Sequence, residues 1–308
     1  MIKIINPNRF LKEHKAIGPV VSSQIFFGKS NNFHPQGLYS EEIFGTDGSS
    51  ERRSSFSWIK LNGKIIHPVI YDILKKRIFR KVDELLTGEK SFSLDPQGYL
   101  IEDENGEISG ITKFYEVIKK VKFTEGEDEE GDRNKIIQML YFNIDNDTFF
   151  IDKLITISPD YRPIHIMHET GEVKIDELTK LYQKIIVASN QISSVSGAIY
   201  DVLAYRIQLL IRDLYELVRI KISKKSGMIR TLMLGKRVDF SARAVISPEP
   251  TLDVGYVGVP LRVAVKIFEP FVIHGMLNNK ANKDIITPMF ISEIKKFLAS
   301  EEVRSDIY

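Results

Sequence analysis

Residues Leu234–Pro250 read LGKRVDFSARAVISPEP, and the alternation inside this stretch decides how the rest of the chain is read. Val238, Phe240, Ala242, Ala244 and Ile246 fall on one side of a period of two; Arg237, Asp239, Ser241 and Arg243 fall on the other. That is the pattern of a β-strand with one apolar face. The opposite face would present two guanidiniums and a hydroxyl, a row of forked donors suited to phosphates. On spacing alone, an ordinary half-buried strand with Arg–Asp pairing is the favoured explanation. The flanking charge favours the phosphate reading. Lys221, Lys224, Lys225 and Arg230 lead in, Lys236 follows, and Asp239 is the one acid between Lys221 and Ile246. Ser226-Gly227 supplies a flexible joint inside the basic run. A basic, glycine-jointed loop feeding a basic strand is the layout of a nucleic-acid cradle.

The chain has 308 residues, 43% of them hydrophobic and 27% charged, which predicts a soluble globular protein of about two domains. The net charge of +2 says nothing about partners; the local distribution does, with basic residues gathered at 221–243 and acidic ones at 125–132. The absence of cysteine excludes disulfides and thiolate metal sites. His165 and His168 have a spacing that could support a metal, but no third ligand accompanies them, and they read as loop or surface residues. No apolar run reaches the length of a membrane span and no signal-peptide pattern opens the chain, so an intracellular protein, at least when it is made, is expected.

Along the chain, Asn31–Gly37 is a turn-rich connection and Gly37–Gly45 (GLYSEEIFG) a compact apolar element closed by glycines. Thr46–Ser57 reads as a polar loop. Trp58–Leu74 predicts a strand, a turn and then a helix starting near Pro68. Residues 76–123 alternate short helical and strand-like runs. Thr124–Arg133 (TEGEDEEGDR) reads as a solvated acidic loop whose spacing does not match an EF-hand. Leu178, Leu181, Ile185, Ala188 and Ile192, then Leu203, Ile207, Leu210, Leu214 and Leu217, recur at three and four. They predict two helices joined at SSVSG (Ser193–Gly197) into an antiparallel hairpin. If this hairpin projects, its outer faces become a docking surface. A Gly/Pro turn at 255–260 precedes an apolar helix through Phe268, and Ile286–Leu298 reads as a last amphipathic helix.

Several of these stretches, in order, resemble the largest (β′) subunit of multisubunit RNA polymerases. LGKRVDFSARAVI at Leu234–Ile246 is similar to the strand that opens the β′ catalytic module, and GVPLRVAVKIFEPF at Gly258–Phe271 to the segment that follows it. ISPDYRPIHIMHETGEV at Ile157–Val173 resembles the β′ lid, the hairpin at 174–222 holds the place of the clamp helices, and GLYSEEIFG resembles the N-terminal clamp motif. The departures are informative too. The four-cysteine zinc ribbon of bacterial members is missing, with Thr46–Ser57 as a shortened substitute, and the rudder near Lys221–Lys224 is reduced or missing. No NADFDGD-like segment, the three-aspartate Mg²⁺ motif of the family, occurs in the 308 residues. The resemblance then implies the N-terminal fragment of a split β′ subunit of the kind found in giant bacteriophages, with the catalytic Mg²⁺ bound by another chain and no zinc in this one.

What the resemblance implies for residues is specific. Lys225 and Arg230 correspond to switch 2 at the base of the clamp. Lys236, Arg237 and Arg243 fall where β′ uses basic residues near template DNA, contacts that position a template without reading its sequence. Met228 stands where an arginine is frequent. Ala242 stands where glycine is usual, so no positive φ is needed there. Arg162 would sit on the lid near the RNA–DNA hybrid; the alternative is a turn residue paired with Asp160. Asp176, Glu177, Lys180, Lys184, Arg206, Arg212 and Asp213 on the hairpin are candidates for binding a phage promoter-specificity factor, with a solvated coiled-coil flank as the alternative.

The expected architecture is α+β: a clamp part without a zinc ribbon at 1–75, a clamp insertion with the acidic loop at 76–156, the lid at 157–173, the clamp-helix hairpin at 174–222, and switch 2 with the first strands of a double-psi β-barrel at 223–308. That barrel would be completed by another chain, and alone the protein would be poorly soluble or partly disordered. The expected partners are the β′ C-terminal fragment, β-like subunits, the specificity factor, template DNA and the RNA transcript, with no membrane. The place would be the host cytoplasm, or the virion for a packaged enzyme. One rival reading is a non-catalytic DNA-binding or virion structural protein of the same fold, disfavoured because such a protein needs no lid. Another is a stand-alone nucleotidyltransferase, disfavoured because two-metal chemistry needs clustered carboxylates near the basic strand.

Overall fold

The structure is a computed structural model that describes residues 4–28, 32–127, 131–166, 173–236 and 238–278. It divides into two units, Met1–Lys224 and Lys225–Tyr308. Both helices and small antiparallel sheets build it, so the fold is α+β.

The first unit begins with helix α1 (Pro7–Glu13), capped by Asn6, and a short helix α2 (Glu41–Phe44), capped by Ser40. The polar stretch 46–57 is not all loop: Ser49 caps one further turn, α3 (Ser50–Ser54), because its hydroxyl accepts from the Arg52 amide at 3.2 Å. Strand β1 (Phe56–Ile66) follows, then α4 (Pro68–Ile73), with His67 as its N-cap and proline at its first position, where a missing N–H costs nothing. A π-helical turn at Leu74–Ile78 continues α4.

Helix α5 (Val82–Thr87), the paired strands β2 (Phe92–Leu94) and β3 (Leu100–Glu102), α6 (Gly110–Val117) and α7 (Asp132–Asp145) fill the middle. Asp132 and Arg133, at the end of the acidic stretch, therefore belong to a helix; residues 128–130 lie outside the described ones. Strand β4 (Phe150–Ile157), the pair β5 (Ile164–Ile166) and β6 (Val173–Ile175), and the long helices α8 (Glu177–Ile192) and α9 (Ala198–Ile222) complete the unit.

The spine is the antiparallel ribbon β1–β4, in register from Phe56↔Ile157 to Lys60↔Lys153, with a shift between Lys60 and Ile65. Ser57, Ile59, Leu61, Leu154 and Thr156 are buried on one face. Residues paired directly across the ladder share a face, so Trp58 and Lys60 lie with Ile155 and Lys153 on the other. The α8–α9 hairpin covers the buried face with its predicted seam: Ile185, Ile192, Ile207 and Leu214 are all buried. It lies against the ribbon rather than projecting. Its tip is tied to the β1 irregularity, where Asn62 takes φ 51° and its amide donates to the Ser189 carbonyl at 3.0 Å, while the Ser189 hydroxyl donates to the Lys60 carbonyl at 2.6 Å. One apolar cluster runs from Val20 to Leu214, so the regions expected at 1–75, 76–156 and 174–222 share a single core.

The second unit departs from the expected strand. A π-helical turn spans Ile229–Met233 and helix α10 spans Leu261–Asn278, the latter where the Gly/Pro turn predicted it. Among the described residues between them, no strand forms. Val238 is 71% exposed and Val245 and Ile246 are each 96% exposed, so neither side of the alternation is buried. Phe240 takes φ 54°, which interrupts an extended run. The physical reason is pairing: a strand is held by ladder hydrogen bonds and a covering layer, and no described strand belongs to this unit. The double-psi barrel start expected here is therefore not formed among the described residues. The helix expected at 286–298 lies outside them.

Candidate nucleic-acid interface

The basic residues assigned to DNA fall into the second unit, and their surroundings follow from the lack of strand pairing. Lys225, Arg230, Lys236 and Arg243 are exposed; Arg237 lies outside the described residues. Arg230 sits on the π-helical turn, which Thr231 closes by donating its hydroxyl to the Gly227 carbonyl at 3.0 Å. Among the described residues, none of these four side chains has a carboxylate within 4.0 Å, whereas Lys266 on α10 pairs with Glu269 at 3.3 Å. Exposed and without a carboxylate partner among the described residues, they are spaced along one exposed segment, an arrangement suited to a polyanion.

Arg162 is placed quite differently. It is fully buried, and neither the RNA contact nor the Asp160 pair fits its surroundings. Its Nη2 donates to the Leu38 carbonyl at 2.6 Å and its Nε to the Ile157 carbonyl at 3.1 Å. The guanidinium lies 4.9 Å from the Tyr39 ring, 5.5 Å from Phe44 and 5.7 Å from Tyr182. Burial pushes its pKa below the ordinary arginine value, and the nearby Arg52 adds to that. Asp160 pairs instead with Arg52 at 3.4 Å and Arg53 at 3.7 Å. Arg52 is buried too and donates to the Gly45 carbonyl at 2.6 Å. The GLYSEEIFG element and the base of the 157–173 region are thus stapled together by two buried guanidiniums, each of which donates to backbone carbonyls. A basic residue followed by proline in a turn gives no local sign of such burial, and Arg52 was not singled out from sequence.

The hairpin candidates divide by role. Asp176 is consumed internally: Oδ1 caps α8 by accepting from the Leu178 amide at 2.8 Å, and Oδ2 accepts from Lys221 Nζ at 2.6 Å. Glu177, Lys180 and Lys184 are exposed on α8, and Arg206 and Asp213 on α9. Arg212 pairs with its neighbour Asp213 at 2.9 Å and lines a groove of about 590 Å³ with Pro68, Lys76 and Arg219. Of the two histidines weighed as metal ligands, His165 lies on β5 and His168 lies outside the described residues. Among the described residues no three carboxylate or imidazole groups converge. No helix among them is long and apolar enough to cross a membrane.

Residues 235–299 match the family model described as RNA polymerase Rpb1, domain 2. The chain is similar to parts of proteins named as DNA-directed RNA polymerase subunits beta' and gamma. The DNA-directed RNA polymerase subunit gamma of Rippkaea orientalis is 26% identical over 351 aligned positions, covering 88% of this chain and 56% of that protein. The subunit beta' of Emiliania huxleyi is 31% identical over 180, covering 49% and 29%. That of Malacoplasma penetrans is 28% identical over 167, covering 47% and 13%. The chain therefore spans from 13% to 56% of the length of these relatives. The match at 235–299 opens inside the basic stretch that carries Lys236, Arg237 and Arg243.

Proposed function

We propose that the chain is a β′-type N-terminal component of a DNA-directed RNA polymerase, and that it holds template DNA while another polypeptide supplies the catalytic Mg²⁺ site. The observation that carries this reading is collinearity. A largest-subunit domain matches at 235–299, and a polymerase subunit aligns across 88% of the chain. Lys225, Arg230, Lys236 and Arg243, exposed and without an ion-pair partner among the described residues, fit sequence-independent contacts to a phosphate backbone. Arg237, one residue on from Lys236, is assigned the same role from its place in the sequence.

The working assembly would comprise this chain, a β′ C-terminal fragment, β-like subunits and a promoter-specificity factor, as in a giant-phage enzyme. The exposed charges of α8 and α9 would form the docking surface of that factor. The exposed apolar side chains of the second unit, Val245 and Ile246 among them, support completion of the barrel by a partner.

The test is affinity purification of the tagged chain from cells that make it, with mass spectrometry of the co-purifying proteins and a transcription assay of the eluate. Recovery of a partner bearing a DFDGD-like motif, together with Mg²⁺-dependent RNA synthesis, is the expected result. Isolation of the chain alone, with no RNA synthesis, would overturn the reading.

A further inference from the structure

The face of the β1–β4 ribbon turned away from the hairpin carries a charge arrangement that the fold does not neutralise. Lys60 and Lys153 stand directly opposite one another across the antiparallel ladder, a like-charge pairing that works against the sheet. Among the described residues neither has a carboxylate within 4.0 Å, although other ribbon lysines do: Lys64 pairs with Asp152 at 3.1 Å. One step along the same face, Trp58 stands opposite Ile155, and Lys153 Nζ lies 5.5 Å from the indole centroid. The platform is rigid. The Trp58 carbonyl accepts from the Val20 amide at 2.8 Å, the Lys60 carbonyl from Ser189 at 2.6 Å, and the Ile155 carbonyl from Tyr182 at 3.3 Å. Beside it, Lys153 and Ile155 help to line a groove of about 300 Å³ with Phe10, His67 and Tyr215.

We propose that this face binds single-stranded nucleic acid, with a base stacked against Trp58 and the ammonium groups of Lys60 and Lys153 on the flanking phosphates. An aromatic ring beside cations on a sheet is how sequence-tolerant single-strand sites are built: stacking contributes about 1–3 kcal/mol per base, and the lysines follow the backbone. A bound phosphate also relieves the Lys60–Lys153 repulsion. A free anion would satisfy the lysines but would leave the indole and the adjoining groove unused. The site is in the first unit, on residues separate from the basic segment at 225–243, so it stands or falls independently of that segment's role.

Trp58 is the one tryptophan in the chain, so its fluorescence reports this face alone. The full 308-residue chain is titrated with a twelve-nucleotide oligothymidylate and, separately, with inorganic tripolyphosphate. The expected result is saturable quenching by the oligonucleotide and not by tripolyphosphate. In the Lys60→Gln/Lys153→Gln variant the apparent affinity should fall roughly tenfold, with the salt slope shallower by about 1.4, two contacts at about 0.7 each. Both lysines point away from the core, and an unchanged far-UV circular dichroism spectrum verifies that the variant folds. Equal quenching by tripolyphosphate, undiminished quenching in the double variant, or no quenching at all would each overturn the proposal.

Discussion

The Tyr39 hydroxyl donates to the Arg162 carbonyl at 2.6 Å, while the Arg162 guanidinium rests 4.9 Å from the centre of the Tyr39 ring. Because the single phenolic proton goes to that carbonyl, the Thr179 hydroxyl, 2.7 Å away, must be the donor of the second bond to Tyr39. Burial holds the phenol above its ordinary pKa, which favours the protonated, donating form. This pair joins three distant parts of the sequence: the GLYSEEIFG element, the base of the lid-like region and the first hairpin helix.

Replacing Arg162 by Ala strips the Leu38 and Ile157 carbonyls of their donors and leaves a cavity among three aromatic rings. The expected loss is about 3–5 kcal/mol. Tyr39→Phe removes one buried bond and should cost about 1–2 kcal/mol. Urea unfolding of the two single variants and the double variant should give a coupling above about 0.5 kcal/mol. Additive losses would mean that the two residues act independently.

His67 makes stability depend on pH. Burial lowers its pKa to about 4, and its Nδ1 accepts from the Val69 amide at 3.3 Å to cap α4. The unfolded chain takes up this proton below about pH 6.5, but the folded chain resists until about pH 4. Stability is therefore lost as the pH falls through that window, by about 3 kcal/mol in all. Asn keeps a capping oxygen without a titrating ring. The difference in unfolding free energy between the wild type and His67→Asn, read from urea titrations, should shift by that amount from pH 7 to pH 4, in favour of the variant.

Asp201 caps a helix that is not its own. Ser109 stands at the N-cap of α6 but makes no side-chain cap bond there, and Asp201 on α9 accepts from the Thr112 amide at 3.1 Å and from its hydroxyl at 2.8 Å. Asp201→Ala should lower stability by about 1 kcal/mol, and Asp201→Asn should retain most of it. Thermal melts of the two variants separate the lost acceptor from the lost charge.

Periodicity revealed the hairpin because both helices bury one continuous stripe, from Leu178 to Ile192 and from Ala204 to Leu214, and a stripe is a local property. The β1–α4 junction was legible for a similar reason, since Pro68 fits the first position of a helix and little else. The alternation at 238–246 was equally clear, yet it did not produce a strand, because pairing depends on a neighbour that alternation cannot supply. Arg162 and Asp201 were beyond reach for the same kind of reason. Their partners lie 124 and 89 residues away, and nothing within a turn of either residue indicates burial or capping at that range.

The exposed basic segment makes a quantitative prediction about salt. If Lys225, Arg230 and Arg243 each neutralise one phosphate of duplex DNA, replacing all three by Ala should reduce the slope of log affinity against log salt by roughly 2.7. The loss should be the same for unrelated DNA sequences, because backbone contacts carry no sequence information. Fluorescence anisotropy of the purified polymerase complex on two unrelated duplexes measures both. An unchanged slope would remove these residues from the DNA path.

On the hairpin, the two classes of charged residue should behave in opposite ways. Glu177, Lys180 and Lys184 are exposed on α8, whereas Asp176 is held by the Leu178 amide and Lys221. Asp176→Ala should cost about 1 kcal/mol in stability through the lost cap, and it should disturb every activity of the complex to the same degree. Reversing the charges of Glu177, Lys180 and Lys184 should leave the melting temperature within about 1 °C, since surface substitutions of this kind change stability little. If these side chains meet a specificity factor, the reversal should abolish promoter-directed initiation while RNA extension on a preassembled scaffold continues at the wild-type rate. Loss of both activities together would assign the exposed face of α8 to the body of the polymerase rather than to the factor.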